Sequence, residues 1–210
     1  MTWQHPFPES TVTGEYGTLS EYRKRKGMQP HSGRDYAPGA KKTIPAVAAG
    51  TVKLLQWSNV LGWVLVHDAK GVDGKTYYIG YSHLSCDKHG INCKGPKVHG
   101  DHSPLRSTKV GDKKELGEPV GRVGNTGSAS SGPHLHLTVS KTVKGVFGVT
   151  SAKLCPKKLI QQNSEGATPK QAAKKTQAVV DKVKPQKVAE KGEIEVKVVY
   201  CCPHCKKELK

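Results

Sequence analysis

No apolar stretch in this 210-residue chain approaches the ~18 residues of a membrane-spanning helix, so a spanning protein is not expected. The first ten residues, MTWQHPFPES, lack the charged and apolar regions of a secretory signal, and none is expected. Aromatic residues are scarce at 6%, and hydrophobic residues reach only 35%. A core of that size cannot fill the whole chain, so part of it is expected to lie outside. No internal repeat is found. Arginine is absent from residues 141–210, although that segment is strongly basic, with 16 Lys against 6 Asp+Glu. Residues 1–140 carry 18 Lys+Arg against 11 Asp+Glu. The basic segment favours a polyanion by long-range attraction that weakens with salt. Nucleic acid, anionic lipid and acidic wall polymers are the candidates. The lack of arginine argues against specific base reading, where bidentate Arg is the commonest tool. The plain alternative is a lysine-rich solvated tail.

What the sequence does contain is β patterning. Residues 1–40, rich in Gly, Pro and Thr, read as loops and short strands. AGTVKLLQW, GWVLVHD and TYYIGYSHL, from residue 49 on, are runs of β-branched and aromatic residues separated by turn signals. EPVGRVG (118–124) reads as a strand, NTGSASSG as turn chemistry, HLHLTVS (134–140) as a strand and VKGVFGVT (143–150) as another. The fold class is mainly β, an antiparallel domain over residues 1–160. Residues 86–109 form a long polar insertion that is functional or mobile; its His89, His99 and His102 read as surface residues. Residues 161–192, with Pro169 and Pro185, read as a basic flexible linker in which AAKKTQAVVDKV can form a short helix. Residues 193–210 read as a short strand followed by a cysteine knuckle.

Six cysteines occur, and the even count does not decide the redox compartment. Cys86 and Cys93 bracket a short loop and can form a disulfide or share a metal. Cys155 stands apart. Cys201, Cys202 and Cys205 form CCPHC, a candidate second metal site or disulfide, with His204 or a second chain as further partners. No second C-x-x-C follows, and the helix start and βαβ setting of a thioredoxin-like redox motif are absent.

The histidines carry the chemistry. In a strand, residues i and i+2 share a face, so His134 and His136 project side by side while Leu135 points into the core. HSGRD (31–35) spaces His31 and Asp35 as H-x-x-x-D, and Pro30, Gly33 and Pro38 make a regular helix there unfavourable. A bent strand or loop aimed at a site is expected. His31, Asp35 and His136 together would make a two-histidine, one-carboxylate set with an open position, as catalytic zinc requires. His83, in YSHLS, ends an apolar strand.

These segments together resemble the lysostaphin-type, or LytM-like, zinc metalloendopeptidases, which cut peptides in bacterial peptidoglycan. The resemblance runs from about residue 12 to 140. It rests on HSGRD, on AGTVKLLQW followed by GWVLVHD, on YSHLS, and above all on VGDKKELGEPVGRVGNTGSASSGPHLH. The 86–109 insertion is longer than usual for the family, and SASSGPHLH has one residue more than the shortest form. The resemblance implies an antiparallel sheet or sandwich with a groove over a zinc ion held by His31, Asp35 and His136. It implies that His83 and His134 are catalytic, and that Gly132 and Pro133 set the start of their strand. Tyr16 falls where family members place substrate-groove residues, and His67 at a structural position facing away from the zinc. With no signal peptide and a basic tail, the expectation is a phage lysin. It would reside in the host cytoplasm before lysis or on the virion tail, with peptidoglycan, anionic wall polymers and phage tail proteins as partners. An inactive wall-binding or hydrolase-activating module, or a structural tail component, is the alternative.

Overall fold

A computed structural model describes residues 2–99, 108–148 and 152–164. In chain order its elements are β1 (Thr11–Gly14), α1 (Glu21–Arg25), β2 (Arg34–Ala37), β3 (Thr43–Pro45), β4 (Gly50–Ser58), β5 (Gly62–Lys70), β6 (Thr76–Leu84), α2 (Pro96–His99), β7 (Lys113–Lys114), β8 (Pro119–Arg122), β9 (Leu135–Ser140), a 3-10 turn (Lys144–Val146), β10 (Lys153–Leu154) and α3 (Pro156–Ser164). The fold is mainly antiparallel β. One sheet runs β1-β2-β9-β6-β5-β4-β7, with β10 on the far end of β9, and β3 pairs with β8 in a second, small sheet.

The central strands form where the expected runs lie, because period-two patterning sends alternate residues to opposite faces. On β9, Leu135, Leu137 and Val139 enter the main core beside Ile79 and Tyr81 of β6, Leu65 of β5 and Tyr36 of β2. The small sheet adds Ile44 and Val120, and the N-terminal segment adds Trp3. Each such side chain, fully buried, contributes about 1.5–3 kcal/mol. His136, Thr138 and Ser140 take the other face of β9, which leaves a polar lane leading to the functional residues. Val64, Val66 and the 3-10 turn's Val146 form a second, smaller cluster.

Two expectations change. The described part of VKGVFGVT, residues 143–148, does not form a strand: it holds the 3-10 turn, and the strand beside β9 is β10, Lys153–Leu154. The turn lays Val146 flat over β6, with its methyl groups where a side chain on Gly80 would sit. A strand in that segment could not cover the face. The packed region also runs past residue 160. Helix α3, started by Pro156 in a first turn that tolerates proline, continues to Ser164. Asn163 accepts from the Val72 amide through Oδ1 (2.6 Å), and the Ser164 hydroxyl donates to the Trp3 carbonyl (2.6 Å). These bonds fasten the helix to the β5–β6 connection and to the chain's first residues. Residues 165–210, with Cys201, Cys202 and Cys205, lie outside the described residues, as does His102.

Candidate metal centre

Strand register creates the centre. Asp35 on β2 stands directly opposite His136 on β9, and His136 stands directly opposite Ser82 on β6. The preceding loop returns His31 to the same place: its amide donates to the Thr18 carbonyl (2.8 Å) and its carbonyl accepts from the Gly17 amide (2.7 Å). The donor atoms of His31, Asp35 and His136 all lie within 4.8 Å of one another. His136 Nδ1 is 2.8 Å from Asp35 Oδ1 and 3.1 Å from His31 Nε2, which is 3.1 Å from Asp35 Oδ2. Donors about 2.0–2.1 Å from a tetrahedral zinc are about 3.3 Å apart, so a small outward movement of each admits the ion.

Further features fit a metal. His31 Nδ1–H donates to the Glu15 carbonyl (3.1 Å), which fixes the tautomer that leaves Nε2 as a lone pair toward Asp35. Two glycines wall the centre. A Cβ on Gly14 would lie 2.6 Å from Asp35 Oδ2, and one on Gly33 would lie 2.8 Å from His136 Nε2. Only a bare backbone allows these ligands their positions. His136 turns Nδ1 to Asp35 and His31, so Nδ1 is the donor it offers the centre, while its Nε2 is buried without a hydrogen-bond partner among the described residues. Burial alone would raise the Asp35 carboxyl, but the His136 and His31 imidazoles beside it hold it well below the usual carboxylate range. Burial lowers His136 against the opposing pull of Asp35. An ionised carboxylate and neutral imidazoles are the states that bind metal.

His83 and His134 flank this centre, and their rings are 4.7 Å apart. His83 reaches it through a β-bulge. Trp63 pairs with Leu84 and Leu65 with Tyr81, so Ser82 and His83 together face Val64 alone. The extra residue puts His83 at φ 61°, a left-handed conformation costing about 1–2 kcal/mol. Its amide donates to Leu61 and its Nδ1–H to the Thr126 carbonyl (2.7 Å). Burial, with His136 and His134 nearby, pushes its imidazole down to about 3. His134 lies just before β9. Its Nδ1–H donates to the Gly132 carbonyl (2.8 Å), with Ser130 Oγ at 3.3 Å, and its Nε2 lies 3.9 Å from Asp35 Oδ1. A carbonyl only accepts, so in both residues Nε2 is left as a lone pair.

The other expected residues fall as follows. Tyr16 donates through its hydroxyl to the Lys153 carbonyl (3.1 Å), and Lys153 Nζ donates to Ser32 Oγ, so both sit beside the His31 loop. His67 is buried away from the centre, stacked on Tyr81 and bonded through Nε2 to the Ala48 carbonyl. His89 is exposed. Sequence reading missed Glu15, Gly14, Gly33 and Thr126. Glu15 acts through its carbonyl, which no residue type betrays. Gly33 and Thr126 sit inside quoted motifs, and the glycine in HSGRD was the available signal.

No protein-family model matches the chain. Solved structures do. The catalytic domain of the antimicrobial peptidase lysostaphin from Staphylococcus simulans is similar over 72% of this chain and 92% of its own, at 21% identity and a TM-score of 0.53. A mutant catalytic domain of the prophage-encoded M23 protein EnpA from Enterococcus faecalis matches over 74% of this chain and 95% of its own, at 26% identity and a TM-score of 0.50. A zinc-containing peptidase from Vibrio cholerae matches over 66% of this chain and 36% of its own, at 21% identity and a TM-score of 0.50. The chain is built on the fold of the lysostaphin-type (M23) peptidase catalytic domains, in agreement with the motif resemblance. Among the described residues no helix is long and apolar enough to cross a membrane.

Proposed function

We propose that this chain is a zinc-dependent endopeptidase that hydrolyses peptide bonds in bacterial peptidoglycan. The observation that carries the reading is the convergence of five side chains: His31, Asp35 and His136 as ligands, with His83 and His134 presenting Nε2 lone pairs beside them. A zinc ion bound there supplies a Lewis acid for the scissile carbonyl and lowers the pKa of a bound water to about 7. The chain's own residues do the rest. Asp35 offers an ionised carboxylate, and the Glu15 carbonyl orients His31 with Nε2 toward the centre. His83 and His134 enter as proton acceptors, because their Nδ1 protons are committed to carbonyls. The one that takes the proton from the attacking water can then pass it to the leaving amine.

The peptidoglycan substrate rests on the motif resemblance and on neighbours that include an antimicrobial peptidase. The basic residues of 141–210 would hold the enzyme near anionic wall polymers, and the proposed setting is a phage lysin, free at lysis or carried on the tail. The test is mass spectrometry of soluble fragments from purified peptidoglycan treated with wild type, His134→Ala and chelator-stripped protein. New free amino termini with the wild type alone are expected, and they name the bond. No fragments from any wall type, with zinc nonetheless bound, would replace the enzyme with a wall-binding or hydrolase-activating module.

A further inference from the structure

We propose that Cys86 and Cys93 form an intrachain disulfide that closes the 86–93 loop when the chain meets a small disulfide oxidant such as oxidised glutathione. Both cysteines are free thiols buried in the main core, at 2% and 4% exposure. Both belong to one buried cluster, where Cys93 is among the groups that bear on the Cys86 thiol. The loop between them is already folded back. Cys86 and Gly90 exchange both backbone bonds at 3.0 Å, and the His89 amide donates to Cys86 Sγ (3.2 Å). Sequence alone left a shared metal open as well. Among the described residues only His31, Asp35 and His136 bring three donors around one point, so the two thiols lack the further ligands of a closed structural zinc site. Cys155, the other described cysteine, lies between β10 and α3.

The bond would act on one wall of a cavity near the His83 support. Cys93 lines a cavity of about 550 Å³ with Trp57, Asn59, Asn92, Asn125 and Ser128. The Ile91 carbonyl accepts from the Asn125 amide (3.1 Å), one residue before the Thr126 carbonyl that holds His83. Closing the loop stiffens that support. In the chemistry, one cysteine thiolate attacks a sulfur of oxidised glutathione and expels one glutathione thiolate. The other cysteine then attacks the mixed disulfide and expels the second. Two electrons and two protons leave with two reduced glutathiones. Exchange is slow, because both thiols are buried and Cys86 is pushed up to about 11 by burial and by Cys93.

The full chain is reduced, equilibrated with oxidised glutathione, alkylated and digested with trypsin. Cleavage after Lys88 puts Cys86 and Cys93 on separate peptides, which a disulfide keeps joined at about 2 Da below the summed masses. That joined pair is expected, with a Tm about 5–10 °C above the reduced protein, as an eight-residue loop in a domain of this size implies. Cys86→Ser should lose both. Two alkylated peptides after oxidation, or a second zinc per chain that Cys86→Ser removes, would overturn the proposal. None of these readouts requires peptidase activity.

Discussion

The candidate metal donors and the two flanking imidazoles are positioned by different means. Asp35 and His136 face each other across paired strands, so backbone register sets their separation. His83 and His134 lie in a bulge and at a loop end, each aimed by a single carbonyl, of Thr126 and Gly132. Two of the three candidate metal donors therefore inherit the stiffness of the sheet, with His31 held by its loop and the Glu15 carbonyl, whereas the imidazole pair depends on the turn chemistry of residues 124–132. Ligands must hold a fixed polyhedron. In the proposed enzyme the imidazoles sit beside it and exchange protons, and loops carry such groups more readily than strand centres do.

The largest effect should follow from breaking the sheet-borne half. Asp35→Asn removes the carboxylate, and zinc affinity measured by chelator competition should fall more than about 100-fold, beyond what loss of a supporting residue costs. Unchanged affinity would place the metal elsewhere. Gly33→Ala tests the wall behind the ligand. Its Cβ would meet Leu137 O at 2.5 Å and the His136 ring at 2.7 Å. Zinc affinity should fall about 10–100-fold, with circular dichroism unchanged.

The loop-borne half breaks differently. The Thr126 hydroxyl accepts from the Trp63 amide (3.1 Å) and donates to the Leu84 carbonyl (2.9 Å). Thr126→Val should cost about 1–3 kcal/mol in urea denaturation and slow turnover while zinc affinity holds. A loss of zinc affinity would mean that the two halves are not separable. The smallest effect lies outside both. Burial pushes His67 down to about 4. Between its ordinary value near 6.5 and 4 the unfolded chain binds a proton that the folded chain does not, so stability falls as pH falls through that window. Roughly 2 kcal/mol from His67 should be lost between pH 7 and 5, and His67→Gln should reduce the slope by that share, leaving what the lowered His83 and His136 contribute. An identical slope in the variant would show that another group carries the acid sensitivity.

The sheet-borne half was legible in the sequence because it obeys a period. TYYIGYSHL coincides with β6, and HLHLTVS begins one residue before β9. Two-residue alternation alone puts His134 and His136 on one side of their strand. The motif context joined them to His31 and Asp35, whose meeting depends on a long-range pairing of β2 with β9. The loop-borne half was legible only as residue types. Nothing in YSHLS announces the left-handed backbone of His83, which arises from a count mismatch with β5. Helices α1 and α3 went unread because five and nine residues are too few for a helical period to stand out. VKGVFGVT carried the apolar content of a strand, but tertiary packing needed Val146 laid across the sheet.

The most direct test of the division is to compare His134→Ala with His136→Ala for bound zinc and turnover on the same preparations. His134→Ala should keep one zinc per chain and lose at least about 100-fold in rate, while His136→Ala should lose both. A His134→Ala protein without zinc, or a His136→Ala protein that keeps it, would contradict the account.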